Sequence, residues 1–225
     1  RYNKMKNKQM VQIEKTDQGG SVIVESVLAF QQQIMLYESA AKYIVTRVGI
    51  LQEDYRVRGV HVPIESCKSR IKSPVSIARK LAKKGEDISL EAISENLNDV
   101  AGIRIICSYI KDIYTVRDCL LSQQDIHLVE EKDYIRNPKI NGYRSLHLVV
   151  DVEVPLTDTI EFVRAEIQLR TISMDSWATL EHQMRYKEQH ILQDETINEE
   201  LKSCAQILYL SDCKMQQIAE KLNIL

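Results

Sequence analysis

The sequence lacks most of the short motifs by which enzymes that bind nucleotides or metals are commonly identified. It contains neither a GxxxxGK[ST] loop nor a GxGxxG loop, so the two common backbone cradles for phosphate are excluded. HExxH and CxxC are absent, and no Cys/His pattern has zinc spacing, so no zinc site is predicted. No run of about 18 apolar residues occurs, and no membrane-spanning helix is therefore expected.

The net charge and the cysteine pattern further limit the kinds of protein that this sequence can encode. A net charge of -2 over 225 residues argues against a protein that binds nucleic acid through bulk charge. The five cysteines form an odd number at scattered spacings, for which reduced thiols in a cytoplasmic protein are the simplest account. The first residues, 1–18, are polar and basic without an apolar core, so they are not a signal peptide.

The length suits one large domain with helical extensions. The predicted division is a flexible leader at 1–20, an N-terminal helical segment at 21–60, a main domain at 61–190 and a C-terminal helix at 191–225. A helix is expected from about Val22 to Gly49, with 31–33 as a candidate break, followed by a second short helix or turn from Leu51 to Val60.

The C-terminal helix carries mostly apolar residues at gaps that alternate between four and three, which is a heptad stripe. Its members are Ile197, Leu201, Cys204, Leu208, Ser211, Met215, Ile218 and Leu222. Such a stripe packs either on the core of its own domain or on another subunit, and both interpretations remain open at this point.

The main domain reads as strands and helices in alternation. Apolar runs and period-two alternation predict strands at Ile103–Tyr109, Ile126–Tyr134, Ser145–Val154 and from Ile160 onward. Short helices are predicted at Leu90–Leu97 and at Ile113–Leu121, the second capped by Asp112. The sequence therefore predicts an α/β domain.

The strand that begins at Ile160 separates two kinds of side chain. Val163, Ala165, Ile167 and Leu169 fall on one face, and Arg164, Glu166, Gln168 and Arg170 fall on the other. A carboxylate between guanidinium groups suits phosphate chemistry with a metal ion. The alternative is an ordinary solvated face of an antiparallel sheet.

A basic segment lies upstream, with seven Lys or Arg and no acid from Lys68 to Lys84. Ser73 followed by Pro74 predicts a helix N-terminus, and Gly85 predicts its end. Four residues cluster where free N–H groups and the helix dipole favour an anion: Arg70, Lys72, Ser76 and Lys80. The alternative is a solvated basic helix.

Two acidic residues and one aromatic residue complete the candidate chemistry. Asp99 and Glu166 can hold Mg²⁺ together with phosphate oxygens. Arg104 beside Asp99 is either a structural ion pair or a site pair. Tyr143, in a glycine-containing loop, can stack on a base. These residue types indicate transfer of a phosphate-containing group from a nucleotide.

Five segments together resemble the synthetase domain of the RelA/SpoT-homologue family: Arg70–Ile77, Asp99–Arg104, Lys139–His147, Ala165–Thr171 and Trp177–His182. The resemblance covers about residues 70–187, and the flanks resemble the small single-domain alarmone synthetases of the RelP/YwaC type. It implies a nucleotidyltransferase-like α/β (α+β) fold, with a mixed β-sheet of about five strands flanked by helices. It also implies a cytoplasmic homotetramer with the terminal helices as interface.

The activity that the resemblance implies is transfer of pyrophosphate from ATP to the 3′-hydroxyl of GDP or GTP, which yields AMP and (p)ppGpp. Mg²⁺ is the implied cofactor, with Asp99 and Glu166 as its ligands and Glu166 as acceptor of the hydroxyl proton. No hydrolase activity is expected, because the sequence contains no His-Asp dipeptide.

The resemblance also implies roles for the remaining site residues. ATP would be bound by Arg70, Lys72, Ser76, Lys80 and Arg104. GDP or GTP would be bound or flanked by Lys139, Tyr143, Arg144, His147, Gln168, Arg170, Asp175, Glu181 and His182.

Two competing functions were considered. One is a nucleotidyltransferase of the same fold class, which releases free pyrophosphate. The other is an RNA-binding module that uses the basic segment and Tyr143, against which the net charge and the lack of interleaved aromatics argue. RNA remains open as a regulator.

Overall fold

The computed structural model describes the backbone of residues 18–187 and 195–225, and the side chains of 25–184 and 195–225. Its strands are β1 (Ile64–Ile71), β2 (Ala101–Cys107), β3 (Ile126–Asp133), β4 (Leu146–Pro155) and β5 (Ile160–Thr171). Its helices are α1 (Gln18–Val57), α2 (Pro74–Lys84), α3 (Leu90–Asn96), α4 (Ile110–Leu121), α5 (Ile172–Lys187) and α6 (Glu195–Lys221). No helix in these ranges is long and apolar enough to cross a membrane.

The strands form one five-stranded sheet in the order β1-β2-β5-β4-β3. β2 and β5 are parallel, whereas the other neighbouring pairs are antiparallel. The sheet is therefore mixed, which confirms the predicted α/β fold class. The chain divisions at residues 20, 60 and 190 stay predictions, and the leader at 1–20 lies almost entirely outside the described residues.

The two faces of the sheet differ in polarity because successive side chains of a strand point to opposite sides. Ile103, Ile105, Ile167 and Leu169 are fully buried and belong to one core with side chains of α1 and α4. The alternate residues of the same strands, including Arg104, Glu166 and Gln168, are only partly buried. The polar face is thus left open for a site.

The N-terminus of α2 forms as its sequence predicts. Ser73 is the N-cap, its Oγ accepts a hydrogen bond of 3.3 Å from the Ser76 N–H, and Pro74 follows at the first helical position. Gly85 ends the helix in the left-handed conformation with φ 76. Only Lys72 separates Ser73 from β1, and the Lys72 N–H donates a hydrogen bond of 2.9 Å to the Val100 carbonyl beside β2, so the α2 N-terminus is held close to the sheet.

Two predicted features of the N-terminal region are wrong. α1 runs without interruption from Gln18 to Val57, so neither the candidate break nor a separate helix from Leu51 is present. Glutamine is a good helix former, and Gln33 and Gln52 each donate a hydrogen bond to a carbonyl outside the helix. The chain turns only at Gly59, which has φ 65.

The predicted start of α4 and the segment before α2 also differ from the structure. Asp112 does not cap a helix that begins at Ile113; α4 begins at Ile110, and Asp112 accepts a hydrogen bond from the Tyr109 N–H. β1 was not predicted as a strand, because an edge strand of mostly polar residues shows neither an apolar run nor clean alternation.

The two halves of the heptad stripe on α6 differ in whether they pack against the rest of the chain. Leu201 and Leu208 pack against a small cluster around Trp177 in the same chain. Met215, Ile218 and Leu222 are 54%, 42% and 64% exposed. The first half of the stripe therefore faces the chain's own core, whereas the second half faces outward.

Candidate active site

A cleft of about 330 Å³ opens on the polar face of the sheet, above β1, β2 and β5. Its lining is Lys68, Ser69, Arg70, Asp99, Gly102, Ile103, Arg104, Glu166 and Gln168. Strand register creates it, since Arg70 pairs with Gly102 and Gly102 pairs with Glu166 in one row across the sheet. Gly102 has no side chain, so open space remains between the guanidinium of Arg70 and the carboxylate of Glu166.

The donor side of the cleft is organised around Asp99, which lies two residues before β2. Lys72 Nζ lies 2.7 Å from Asp99 Oδ2, and Lys80 Nζ lies 2.7 Å from Oδ1. Burial alone would raise the pKa of Asp99, but the two ammonium groups outweigh it and hold the pKa below its usual range. Asp99 is therefore ionised at neutral pH and neutralised by two cations.

Ser76 lies with this group at the α2 N-terminus, where its Oγ accepts a hydrogen bond of 2.9 Å from Ser73 Oγ. Arg70 and Arg104 come from β1 and β2, and both line the cleft. Of the five residues to which the resemblance assigns ATP binding, Arg70 and Arg104 line the cleft, Lys72 and Lys80 contact its Asp99, and Ser76 contacts Ser73 at the α2 N-terminus.

Glu166 is held on the polar face by two neighbours. Gln168 Nε2 donates a hydrogen bond of 2.9 Å to Glu166 Oε2, and His147 Nδ1 lies 3.4 Å from Oε1. Burial raises the pKa of Glu166, but hydrogen bonding and attraction to His147, with a smaller contribution from Gln168, lower it below its usual value. Glu166 is therefore a carboxylate at neutral pH, with a fixed orientation.

The alternation in β5 predicts that Glu166 lies between the guanidinium groups of Arg164 and Arg170. In the structure Glu166 contacts neither of them. Arg164 pairs with Asp151, and Arg170 donates to Asp175 Oδ1 at 2.9 Å. Alternate residues of a strand are about 7 Å apart, so each guanidinium finds a partner on a neighbouring element before it reaches Glu166. His147 and Gln168 take the places expected for the two arginines.

A chain of hydrogen bonds and ion pairs runs from Glu166 toward the other end of the cleft. Tyr143 Oη lies 2.8 Å from His147 Nε2 and accepts a hydrogen bond of 2.7 Å from Arg170 Nη2. Asp175, which accepts from Arg170, also lies 3.4 Å from Arg104 Nη1. Residues assigned to the acceptor are thus connected to a residue assigned to ATP.

Tyr143 forms the aromatic part of the acceptor side. Its ring is half-buried, with Lys139 Nζ 4.9 Å and Arg170 Cζ 5.1 Å from the ring centroid. A base that stacks on the face covered by Lys139 has to displace that ammonium group. The rings of Tyr134 and Trp177 support Tyr143, with centroid distances of 6.0 and 6.5 Å.

Of the nine assigned acceptor residues, Gln168 lines the cleft, five belong to the network around Tyr143 that adjoins it, and three lie beside neither. Arg144 packs on α6, with its Cζ 3.9 Å from the centroid of the Tyr209 ring. Glu181 is buried on α5 and accepts a hydrogen bond of 3.1 Å from Asn141 Nδ2, so it braces the loop that carries Tyr143. His182 is exposed on α5.

Sequence reasoning missed two residues of this site. Tyr134 stacks edge-on against His147 at 5.2 Å, and Lys139 Nζ lies 4.7 Å from its ring centroid. Lys132 of β3 is paired directly with His147 of β4 and contacts Glu130 at 2.9 Å. Residues 130–133 are all charged, so their sequence shows no alternation; the pairing of Lys132 with His147 is what places Lys132 and Glu130 on the face that carries His147.

Asp99 and Glu166 suit a magnesium ion that is bound partly by its substrate. The two carboxylates line one cleft, and the charge of Asp99 opposes ionisation of Glu166, so they are close enough to interact. Asp99 Oδ1 is buried and receives no well-directed hydrogen bond, although Lys80 lies nearby. No cluster of three or more His, Cys, Asp or Glu in the described ranges could hold a metal. Mg²⁺ commonly uses one or two carboxylates, substrate phosphates and water.

Comparisons with known proteins identify the family of the chain. Residues 69–191 match the family model described as the region found in RelA / SpoT proteins. The chain is 42% identical over 194 residues to the GTP pyrophosphokinase YwaC of Bacillus subtilis, which covers 86% of this chain and 92% of that protein. It is 35% identical over 158 residues to the GTP pyrophosphokinase YjbM of the same organism, which covers 70% and 74%.

Solved structures give the same result. The small alarmone synthetase 2 from Bacillus subtilis superposes with a TM-score of 0.76 at 42% identity and covers 85% of this chain and 98% of that one. The small alarmone synthetase 1 from the same organism, bound to its product pppGpp, superposes with a TM-score of 0.78 at 30% identity and covers 87% and 98%. The chain belongs to the RelA/SpoT family, among its small alarmone synthetases.

Proposed function

We propose that this protein transfers the β,γ-pyrophosphate of ATP to the 3′-hydroxyl of GDP or GTP, which produces (p)ppGpp and AMP. The observation that carries the proposal is the position of Glu166, with cations around Asp99 on one side and the Tyr143 ring network on the other. The relatives YwaC and YjbM are named GTP pyrophosphokinases, and a similar synthetase has been solved with its product pppGpp.

On the donor side, Lys72 and Lys80 would exchange the Asp99 carboxylate for the phosphates of ATP. In the described structure both ammonium groups neutralise Asp99, so an incoming triphosphate supplies a replacement anion. Asp99 and Glu166 would hold Mg²⁺, which neutralises charge on the phosphate oxygens when it is bound. Arg70 and Arg104 line the cleft as flat cations on which an adenine ring can stack.

On the acceptor side, Tyr143 would stack on the guanine base, while Lys139 and His147 would face the phosphates of the same GDP or GTP molecule. Glu166 accepts the proton of the 3′-hydroxyl. The new bond forms between the 3′-oxygen and the β-phosphorus, the bond from that phosphorus to the α,β-bridging oxygen breaks, and AMP leaves with the electron pair. A carboxylate of low pKa is a weak base, so positioning and charge stabilisation supply most of the catalysis in a loose transition state.

The products of ATP, GDP and Mg²⁺ test this proposal. Ion-exchange chromatography should show AMP and ppGpp in equal amounts. Free pyrophosphate together with a nucleotidylated product would identify a nucleotidyltransferase instead. A preparation of Glu166→Gln treated in parallel controls for contaminating kinases.

We further propose a homotetramer in the cytoplasm, with the terminal helices as interface. Exposed apolar side chains on α6 (Met215, Ile218 and Leu222) and on α1 (Val27 and Leu28) support contact between subunits. All five cysteines are free, which suits a reducing compartment. Light scattering at micromolar concentration should give four times the mass of one chain; the mass of one chain would contradict the assembly.

A further inference from the structure

The loop that carries Lys139 and Tyr143 (residues 134–145, here named the acceptor loop) contacts α6 directly through its backbone. Gly142 is buried in the left-handed conformation with φ 89. A Cβ at this position would lie 2.7 Å from Ala205 Cβ and 3.0 Å from Lys202 Cα. Such a close approach leaves no room for a side chain between the loop and the helix.

Arg144 adds polar and aromatic contacts beside this approach. Its Nη1 donates a hydrogen bond of 2.6 Å to the Ile135 carbonyl, and its Nη2 donates one of 3.0 Å to Gln206 Oε1. Its Cζ lies 3.9 Å from the centroid of the Tyr209 ring. One guanidinium therefore joins the two ends of the acceptor loop to each other and to two residues of α6.

The same contacts direct the Arg144 side chain toward α6 and away from His147 and Arg170, which Tyr143 contacts. Its two terminal nitrogens donate to the Ile135 carbonyl and to Gln206, and its Nε is buried without a partner. Tyr143 and Arg144 are consecutive, but their side chains contact different parts of the molecule. Tyr143 thus meets His147 and Arg170, whereas Arg144 meets α6.

We propose that Arg144 is a positioning residue that fixes the acceptor loop on α6 and so holds Tyr143 for guanine, rather than a ligand of substrate phosphates. This inference rests on the proposed function. α6 is a suitable support, because Thr171 Oγ1 donates a hydrogen bond of 2.6 Å to Asp212 Oδ2 and Trp177 Nε1 donates one of 2.9 Å to the Leu201 carbonyl. The residues assigned to ATP lie on or beside β1, β2 and α2, so loss of the Arg144 contacts should change binding of the acceptor and not of ATP.

The kinetic test compares Arg144→Ala with substitutions of its partners on α6, Gln206→Ala and Tyr209→Leu. Arg144→Ala should raise the acceptor KM about tenfold, the effect expected from one lost charge-assisted hydrogen bond, and leave the ATP KM within about twofold. Tyr209→Leu and Gln206→Ala should raise the acceptor KM in the same direction. The double variant of Arg144 and Tyr209 should show less than the product of the single effects, because both remove one contact.

Arg136→Ala is the matched control. Arg136 also lies over a tyrosine ring, that of Tyr114 at 5.2 Å, but its side chain is 75% exposed and makes its contacts away from α6. It should leave both KM values unchanged. Arg144→Lys keeps the charge but not the planar guanidinium, so it should reverse less than half of the increase in acceptor KM that Arg144→Ala causes.

A phosphate ligand would behave differently. The proposal would be overturned if Tyr209→Leu and Gln206→Ala kept the acceptor KM of the wild type while Arg144→Ala raised the KM for GTP more than the KM for GDP. Equal effects with the two acceptors are expected, since no phosphate contact is lost.

A second readout does not depend on catalysis. Trp177, the single tryptophan, lies 6.5 Å from Tyr143 and packs on α6. Release of the acceptor loop should raise acrylamide quenching of its fluorescence at least about twofold in Arg144→Ala; unchanged quenching would overturn the docking role. If the wild type transfers no pyrophosphate, the proposed function fails, while this quenching experiment still decides whether Arg144 docks the loop.

Discussion

Replacement of Glu166 by glutamine should separate catalysis from ATP binding. The substitution keeps the size of the side chain and retains an oxygen that can accept from Gln168 Nε2. It removes the carboxylate that lies against His147 and lines the cleft. The Asp99 group with Lys72 and Lys80 is left intact, so the phosphate-binding cations keep their positions.

The size of the effect follows from the role of Glu166. A positioned general base contributes about 10²- to 10⁴-fold, which corresponds to about 3 to 5 kcal/mol in the activation free energy. The turnover number of Glu166→Gln should fall by at least that factor, while the Kd for ATP stays within about threefold of the wild type. Product formation and calorimetric titration with ATP and Mg²⁺ measure the two quantities separately.

Asp99→Asn is the matched control, because it changes the other carboxylate of the same cleft. It should weaken magnesium-dependent ATP binding about tenfold or more, since one of the two carboxylates proposed to hold Mg²⁺ loses its charge. A Glu166→Gln enzyme that loses ATP affinity as strongly as Asp99→Asn, or that retains more than a tenth of wild-type turnover, would refute the assigned division of roles.

Three further outcomes are expected. Tyr143→Ala should raise the acceptor KM about tenfold and the ATP KM far less in steady-state kinetics, because base stacking is worth about 1–3 kcal/mol; equal effects would argue against stacking on guanine. Gly142→Ala should lower the free energy of unfolding by about 2–4 kcal/mol in urea titrations, since its Cβ would collide with Ala205. Gly59→Ala, with φ 65 but open space, should cost only about 1 kcal/mol, and a similar loss at both sites would contradict the close contact. The lowered pKa of Asp99 implies stabilisation that is full above its unfolded pKa and lost as pH falls through the folded value; the stability advantage of wild type over Asp99→Asn should therefore shrink below about pH 4, and a constant difference would be inconsistent with ionised Asp99.

Local patterns were sufficient to predict β5 and α2, two of the elements that carry the site. The alternation in β5 correctly separates the buried face, with Ile167 and Leu169, from the face that carries Glu166 and Gln168. The cap residues of α2 are likewise local, because Ser73 and Gly85 act on backbone groups a few residues away. Period and capping are properties of neighbouring residues, so sequence alone contains them.

Partners that are distant in sequence could not be predicted. Arg144 carries the same chemistry whether it faces a phosphate or α6, and the choice depends on Gln206 and Tyr209 in a helix far along the chain. Arg164 and Arg170 are drawn to Asp151 and Asp175 for the same reason. β1 is defined by its pairing with β2 rather than by its own polar sequence.

The fate of a labelled phosphate tests the central claim most directly. ATP labelled at the β-phosphorus is incubated with GDP, Mg²⁺ and the protein, and the products are separated. Transfer of pyrophosphate predicts that the label enters the 3′-position of ppGpp and that the released AMP is unlabelled. Recovery of the label as free pyrophosphate, or of labelled ATP unchanged beside an active preparation of a known relative, would contradict the proposed activity.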